Sequence, residues 1–195
     1  MPVANPASAV TAFAETPANN SVTSEAKLDI PADGVCSVTV TERSDSENDE
    51  NAKSGVQKAI EAKYNITGND PNRFDGIKNL TVTTASDVEL GKLDFQFLSG
   101  VKVTGAEGVD CKGEYAGESG STYAYLRQLT RLDLTDATCE NNTFPPRAFY
   151  ANQKIEAVIF PNNLVSSGFK TFATASALKY VGTRAGEASK TIQFP

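Results

Sequence analysis

One short pattern, apolar-x-x-apolar-x-apolar, recurs along this chain and limits its possible folds more than any other feature. The five copies are Ile77–Val82, Leu98–Val103, Leu129–Leu134, Ile155–Phe160 and Leu178–Thr183. They follow one another at intervals of roughly 20–30 residues. Because each copy ends in the alternation of a half-buried strand, the pattern predicts stacked repeats with one strand each. The members expected to form one buried column are Leu80, Val101, Leu132, Val158 and Val181.

An ordinary β-sandwich is the alternative architecture for a chain with several alternating segments. Its strands recur about every 8–12 residues, so the longer period here favours repeats. The longest interval contains the Gly- and Glu-rich segment 110–121, which we predict to be a loop inserted into one repeat.

An aromatic residue stands six positions before three successive copies, as Tyr123, Phe149 and Phe172. With the segment 144–164, this spacing resembles the BspA-like leucine-rich repeat, whose unit runs I-x-x-x-A-F-x-x-C-x-x-L-x-x-I-x-I-P-x-x-V. The match is close over residues 144–181 and weaker over residues 77–134. The Cys or Asn that the family places after its Phe corresponds to Asn152 and Ala175.

The resemblance implies a leucine-rich-repeat solenoid of the α/β repeat class. Its short parallel sheet would lie on the concave side, and its convex side would be irregular or form short helices. Phe149 and Phe172 would be buried and stacked one unit apart. We expect a disordered lead at 1–25, a strand, an acidic linker and a capping helix within 26–76, and an array of about five units at 77–195.

The segment before the repeats predicts one strand and one helix. Residues 35–41 alternate, with Val38 and Val40 on one face, and residues 52–64 carry Val56, Ile60 and Tyr64 at helical spacing. A helix directly before the first repeat fits an N-terminal cap. The acidic run 45–50 lacks the Gly and Glu spacing of a calcium loop and is predicted to be a linker.

Composition excludes several function classes. A net charge of −6 with a pI near 4.8 argues against nucleic acid and anionic membranes as partners. No apolar stretch is long enough to insert into a membrane. The absence of histidine removes the commonest general base and every imidazole metal site, and no cofactor is indicated.

The three cysteines, Cys36, Cys111 and Cys139, form no CxxC pair, which argues against structural zinc. Two interpretations of Cys111 and Cys139 remain open: a disulfide, or buried thiols. Residues 9–14 include Ala12-Phe13-Ala14, which resembles a signal-peptide cleavage site but lacks a charged region before it. A trimmed secretion signal and a chance similarity both fit.

Side chains between the inward positions of each copy should face outward on the concave sheet. On this face we predict a binding patch of Arg131, Asp133, Ile159 and Tyr180, with the two apolar residues exposed as anchors. Scattered surface apolarity is the alternative. Arg131 and Asp133 fit a surface ion pair better than a catalytic pair.

Three functions are compatible with these features. The resemblance implies a secreted or surface-displayed adhesion module that contacts protein or glycan partners. A spacer or stalk that displays other domains is the second interpretation. An enzyme is the third, through Asp110, Glu114 and Glu118, but their Gly-rich loop has few apolar residues to raise a carboxyl pKa. We therefore expect no catalytic residues and no enzymatic activity, and the oligomeric state is left open.

Overall fold

The computed structural model describes residues 28–47, 52–68, 70, 72–100, 125–150, 152–187 and 191–193. These residues form an α/β fold with two helices and mostly parallel strands. The main sheet contains β1 (Val35–Val40), β2 (Asn79–Thr84), β3 (Arg131–Asp133), β5 (Ala157–Ile159) and β7 (Tyr180–Gly182). Neighbouring strands are parallel and follow chain order.

The register of this sheet aligns one inward-facing residue from every strand. The aligned residues are Cys36, Leu80, Leu132, Val158 and Val181. The first four are at most 2% exposed, whereas Val181 on the last strand is 39% exposed. The predicted register is therefore confirmed for Leu80, Leu132, Val158 and Val181, but the predicted burial only for the first three, because the core becomes more open at β7.

The pattern at 98–103 was wrongly predicted to start a strand. Leu98 is the last residue of helix α2 (Lys92–Leu98), where it is buried with Phe95 and Phe97. β2 pairs directly with β3, so no strand lies between them, and Val101 lies outside the described residues. Local apolar spacing misled the prediction because packing of these residues on the core selects a helix.

The predicted boundary at residue 76, between an N-terminal cap and a repeat array, falls between two paired strands of one sheet. β1 pairs with β2 over six residues, so it is the first strand of the same sheet. Helix α1 (Gly55–Lys63) is therefore the crossover between β1 and β2. Its last turn still seals the edge of β1, since the Ser37 amide donates to the Tyr64 hydroxyl (2.9 Å) and that hydroxyl donates to the Ser37 carbonyl (3.1 Å).

The predicted apolar stripe of α1 is confirmed, with Val56, Ile60 and Tyr64 all buried. The helix begins after Ser54, whose hydroxyl accepts from the Gln57 amide at 2.9 Å. Asp94 in the first turn of α2 ties the two helices together. Its carboxylate accepts from the Val56 amide (2.9 Å), the Ser44 hydroxyl (2.8 Å) and the Gly91 amide (2.9 Å).

The chain after β3 replaces helices with tight turns. A short 3-10 turn at Glu140–Asn142 leads into β4 (Thr143–Phe144), which pairs in parallel with β6 (Ser166–Ser167). Single bridges join Leu90 to Cys139 and Ser166 to Gln193. These contacts form a second hydrogen-bonded row that links successive units away from the main sheet.

An aromatic column fills the core between the main sheet and the second hydrogen-bonded row, which contains β4 and β6. Phe149 is fully buried and Phe172 partly buried, and their rings stack with centroids 5.4 Å apart and an angle of 5°. Phe144 and Phe95 meet edge to face at 5.1 Å. The predicted Phe149–Phe172 stack is confirmed.

Asn152, at the position where the resembling family places Cys or Asn, holds the turn before β5. Its side-chain oxygen accepts from the Ile155 amide (2.9 Å), and its side-chain nitrogen donates to the Ser99 carbonyl (3.0 Å). One amide group thus fixes the turn before β5 and a contact with the end of helix α2.

Cys36 and Cys139 are free thiols, and both are buried. Burial raises the pKa of both thiols above the ordinary value, with Asp94 and Glu89 adding to the rise at Cys139. The structure thus favours the buried-thiol interpretation of Cys139. Cys111, the predicted lead at 1–25 and the predicted loop at 110–121 lie outside the described residues.

Candidate functional site

The outer face of the main sheet, opposite the core, carries the residues predicted to bind a partner. Strand register arranges its side chains in two rows. The first outer row is Val35, Asn79, Arg131, Ala157 and Tyr180. The second outer row is Ser37, Thr81, Asp133, Ile159 and Gly182. The four predicted residues therefore lie on one face, two in each row.

The first outer row presents two large exposed side chains on either side of a small one. Tyr180 is 46% exposed, Arg131 is exposed, and the partly buried Ala157 lies between them. Two strand spacings separate Arg131 from Tyr180, or about 10 Å. Within the described residues Arg131 forms no ion pair. The row thus presents a cation and an aromatic ring on either side of the small side chain of Ala157.

The prediction that Ile159 is an exposed anchor is wrong, because Ile159 is only 2% exposed. Its neighbours in the second outer row are Asp133 and Gly182. The Tyr180 ring leans over Gly182, and Arg184 reaches from beyond β7 to β3. Alternation predicts which face Ile159 occupies, but not how much of its side chain is exposed to solvent.

The predicted ion pair between Arg131 and Asp133 does not form, since Asp133 pairs with Arg184 instead. Arg184 Nη2 lies 3.3 Å from Asp133 Oδ1 and 3.3 Å from Asp136 Oδ2. Because Arg184 follows β7 and Asp133 is on β3, this side chain spans β5 and joins three strands. We call Asp133, Asp136 and Arg184 the charged bridge.

Hydrogen bonds set the ionisation of the charged bridge. Burial alone would raise the pKa of Asp133, but hydrogen bonds from Thr135 and Arg184 outweigh it and hold that pKa below its ordinary value. Asp133 Oδ1 accepts from the Thr135 hydroxyl (2.7 Å) and amide (3.1 Å). The hydrogen bond to Asp133 raises the pKa of Arg184. Both groups are therefore charged at neutral pH.

Arg184 was not among the residues predicted to form the patch. The available signal was positional, because Arg184 aligns with Thr135 and Pro161 just beyond the strand ends. A basic residue at this position predicts an ion pair with Asp133 only once the strand order β3-β5-β7 is known. The pairing could not be derived without the fold.

The outer face over β1 and β2 has a different character. Its side chains are mainly hydroxyls, with Ser37, Thr39, Thr81 and Thr83 partly or fully exposed. Val35, the large apolar residue of this half, is 54% exposed. Hydroxyls on strands β1 and β2 contrast with charges and an aromatic ring on strands β3, β5 and β7.

Within the described ranges, no group of three or more Cys, Asp or Glu side chains is placed to hold a metal ion. Asp110, Glu114 and Glu118, the candidate catalytic carboxylates, lie outside those ranges. Among the described residues, no helix combines the length and apolar character needed to cross a membrane.

Comparison with known proteins finds no matching family model, no matching curated protein and no matching solved structure. The resemblance to BspA-like repeats therefore rests on the residues of this chain alone.

Proposed function

We propose that this protein is a leucine-rich-repeat solenoid that acts as a binding module, secreted or displayed at a cell surface, without catalytic activity. Its ligands would be proteins or glycans, contacted by the outer face over β3, β5 and β7.

The start of each strand supports the repeat interpretation. The Gly34, Lys78, Thr130 and Glu156 carbonyls each accept hydrogen bonds from two consecutive amides of the next strand, at 2.7–3.2 Å. The same local geometry thus recurs four times at equivalent positions. Repetition of one backbone arrangement along a parallel sheet is typical of stacked structural repeats.

The observation that carries the binding proposal is the row of Arg131, Ala157 and Tyr180. Arg and Tyr are the residue types that most often dominate binding energies, and here both are exposed on a regular sheet. The charged bridge supports a non-catalytic role. A carboxyl with a depressed pKa beside an arginine is a poor proton donor or acceptor near neutral pH.

A printed array of purified matrix proteins and glycans tests the proposal with the full chain as labelled probe. For the strongest bound component, Arg131→Ala with Tyr180→Ala should weaken binding at least tenfold, since both side chains lie in the proposed contact. The melting temperature should change by only a few degrees, because both residues are on the surface.

The matched control is Val35→Ala with Ser37→Ala, which alters the same face over β1. We expect this variant to bind as tightly as the unmodified chain. Equal loss in both variants, or no loss in the first, would place the contact elsewhere. Failure of the full chain to bind any printed protein or glycan would contradict the proposed function.

A further inference from the structure

The Tyr180 side chain is held in place before any ligand arrives. Its hydroxyl donates a hydrogen bond to the Thr183 carbonyl at 2.5 Å. The ring is backed by Gly182, and the residue remains 46% exposed. A ring that is already ordered loses little rotamer entropy on binding, so it suits a stacking contact.

Gly182 makes this arrangement possible. A Cβ at this position would lie 2.9 Å from the Tyr180 hydroxyl oxygen and 3.2 Å from Cζ of the ring. Any larger residue at Gly182 would therefore displace the ring. The pairing of Tyr180 with Gly182 creates a flat aromatic surface against the sheet, which we call the Tyr180 platform.

Hydrogen-bonding groups of both kinds lie just beyond the ends of β7 and β3, on the same side of the sheet as the platform. Both ion pairs of Arg184 use Nη2, so Nε and Nη1 have no partner among the described residues. The Asp136 side chain is 51% exposed and offers acceptor oxygens. This combination matches a ligand whose groups both donate and accept hydrogen bonds, as hydroxyls do.

Net charge argues against an acidic ligand, because the whole chain carries −6. The charged bridge contains two carboxylates and one guanidinium, and the exposed Arg131 on the same face brings the local charge close to balance. A basic ligand would compete with Arg184 for its two carboxylates. A neutral polyhydroxylated ligand avoids both penalties and can use donors and acceptors together.

We infer that the Tyr180 platform binds a neutral glycan, with the C–H face of a pyranose ring on Tyr180 and sugar hydroxyls bonded to Arg184 and Asp136. This inference rests on the proposed function and names the ligand class for the same face. The aromatic ring supplies apolar contact area, and the charged bridge fixes the orientation of the sugar.

Saturation-transfer NMR on the full chain tests this inference directly. The probes are methyl β-glucoside, methyl β-galactoside and the corresponding β-linked tetrasaccharides. We expect transfer to the C–H protons of one ring face and an upfield shift of those protons. For the better tetrasaccharide, the dissociation constant should be about 1 mM or tighter.

Four variants separate stacking from folding. Tyr180→Ala should weaken tetrasaccharide binding at least tenfold, whereas Tyr180→Phe, which keeps the ring, should change it less than about threefold. Gly182→Ala should also weaken binding by displacing the ring, although this residue makes no ligand contact. Asp136→Ala removes an exposed acceptor without touching the core, and it should weaken binding several-fold. This variant tests the inference even if Tyr180→Ala fails to fold.

Each outcome either supports or overturns the inference. Binding that survives Tyr180→Ala and Asp136→Ala, or an absence of transfer from all four sugars, overturns it. Tighter binding of glucuronate-containing tetrasaccharides than of the neutral ones also overturns it. If the sugars fail while a printed matrix protein still requires Arg131 and Tyr180, the glycan inference falls and the proposed function stands. If neither class binds, both fail.

Discussion

The two halves of the main sheet are built differently. β1 and β2 are six residues long and are followed by helices α1 and α2, whereas β3, β5 and β7 have three residues each and are joined by turns and the short β4–β6 pair. The first half buries helix faces against its strands. The second half buries a column of phenylalanines between the main sheet and the β4–β6 pair.

The same parallel sheet therefore accommodates two kinds of connection between strands, helices in the first half and short turns in the second half. Helical crossovers make the first half self-contained, and its outer face is left with uncharged hydroxyls. Short turns keep the units of the second half closely spaced, so one arginine can span three strands. The proposed binding face therefore lies on the second half, and Tyr64 closes the edge of β1 in the first half.

The largest expected effect tests the aromatic column of the second half. Phe149→Ala should lower the free energy of unfolding by about 3–5 kcal/mol, because the side chain is fully buried and stacked on Phe172. Phe169→Ala is the matched control, since Phe169 is 39% exposed. Denaturant titration giving a loss under about 1 kcal/mol for Phe149→Ala would mean that the column does not support the fold.

The next effect tests the polar junction of the first half. Asp94→Ala leaves the Val56 and Gly91 amides and the Ser44 hydroxyl without their acceptor, and should cost about 2–3 kcal/mol. Asp94→Asn keeps an oxygen acceptor and should cost less. Equal stability of the alanine variant and the unmodified chain, measured by thermal unfolding, would show that the junction is dispensable.

A matched valine pair measures how the core opens along the second half. Val158→Ala should cost about 2 kcal/mol because Val158 is fully buried. Val181→Ala, one strand later in the same register, should cost about 0.5 kcal/mol because Val181 is 39% exposed. Equal losses for the two variants in urea titrations would contradict the graded burial.

The smallest effect concerns the charged bridge and its pH dependence. The pKa of Asp133 is lowered in the folded chain, so its stabilisation is complete above the ordinary carboxyl pKa of about 3.9 and is lost as pH falls below it. Asp133→Asn should cost about 0.5–1 kcal/mol at pH 7. The difference from the unmodified chain should shrink near pH 3; a difference that grows in acid would reverse the assigned sign.

Much of the second half follows from the sequence because its pattern is local. An apolar triplet for each strand and a phenylalanine six residues earlier predict both the register and the Phe149–Phe172 stack. The first half was harder because the register of β1 places Asp33 where the later patterns begin with an apolar residue, and because α2 mimics the pattern at Leu98. The pairing of β1 with β2 depends on contacts across a helix, which no local pattern encodes.

The candidate site was predictable only in part, for a related reason. Alternation correctly places Arg131 and Tyr180 in one outward row. Burial of Ile159 and the choice of Arg184 as partner of Asp133 depend on side chains that cross neighbouring strands. Face and row are local properties, whereas exposure and ion pairing are properties of the assembled sheet.

The central claim is that the strands form one parallel sheet in chain order, which brings Arg131 and Tyr180 into one row. Scalar couplings across hydrogen bonds, measured by NMR on the deuterated full chain, test it directly. The account predicts couplings from the Thr130 amide to the Lys78 carbonyl (2.8 Å), from Glu156 to Thr130 (2.7 Å) and from Lys179 to Glu156 (2.8 Å). Couplings from these amides to other carbonyls, as in an antiparallel sandwich, would contradict it.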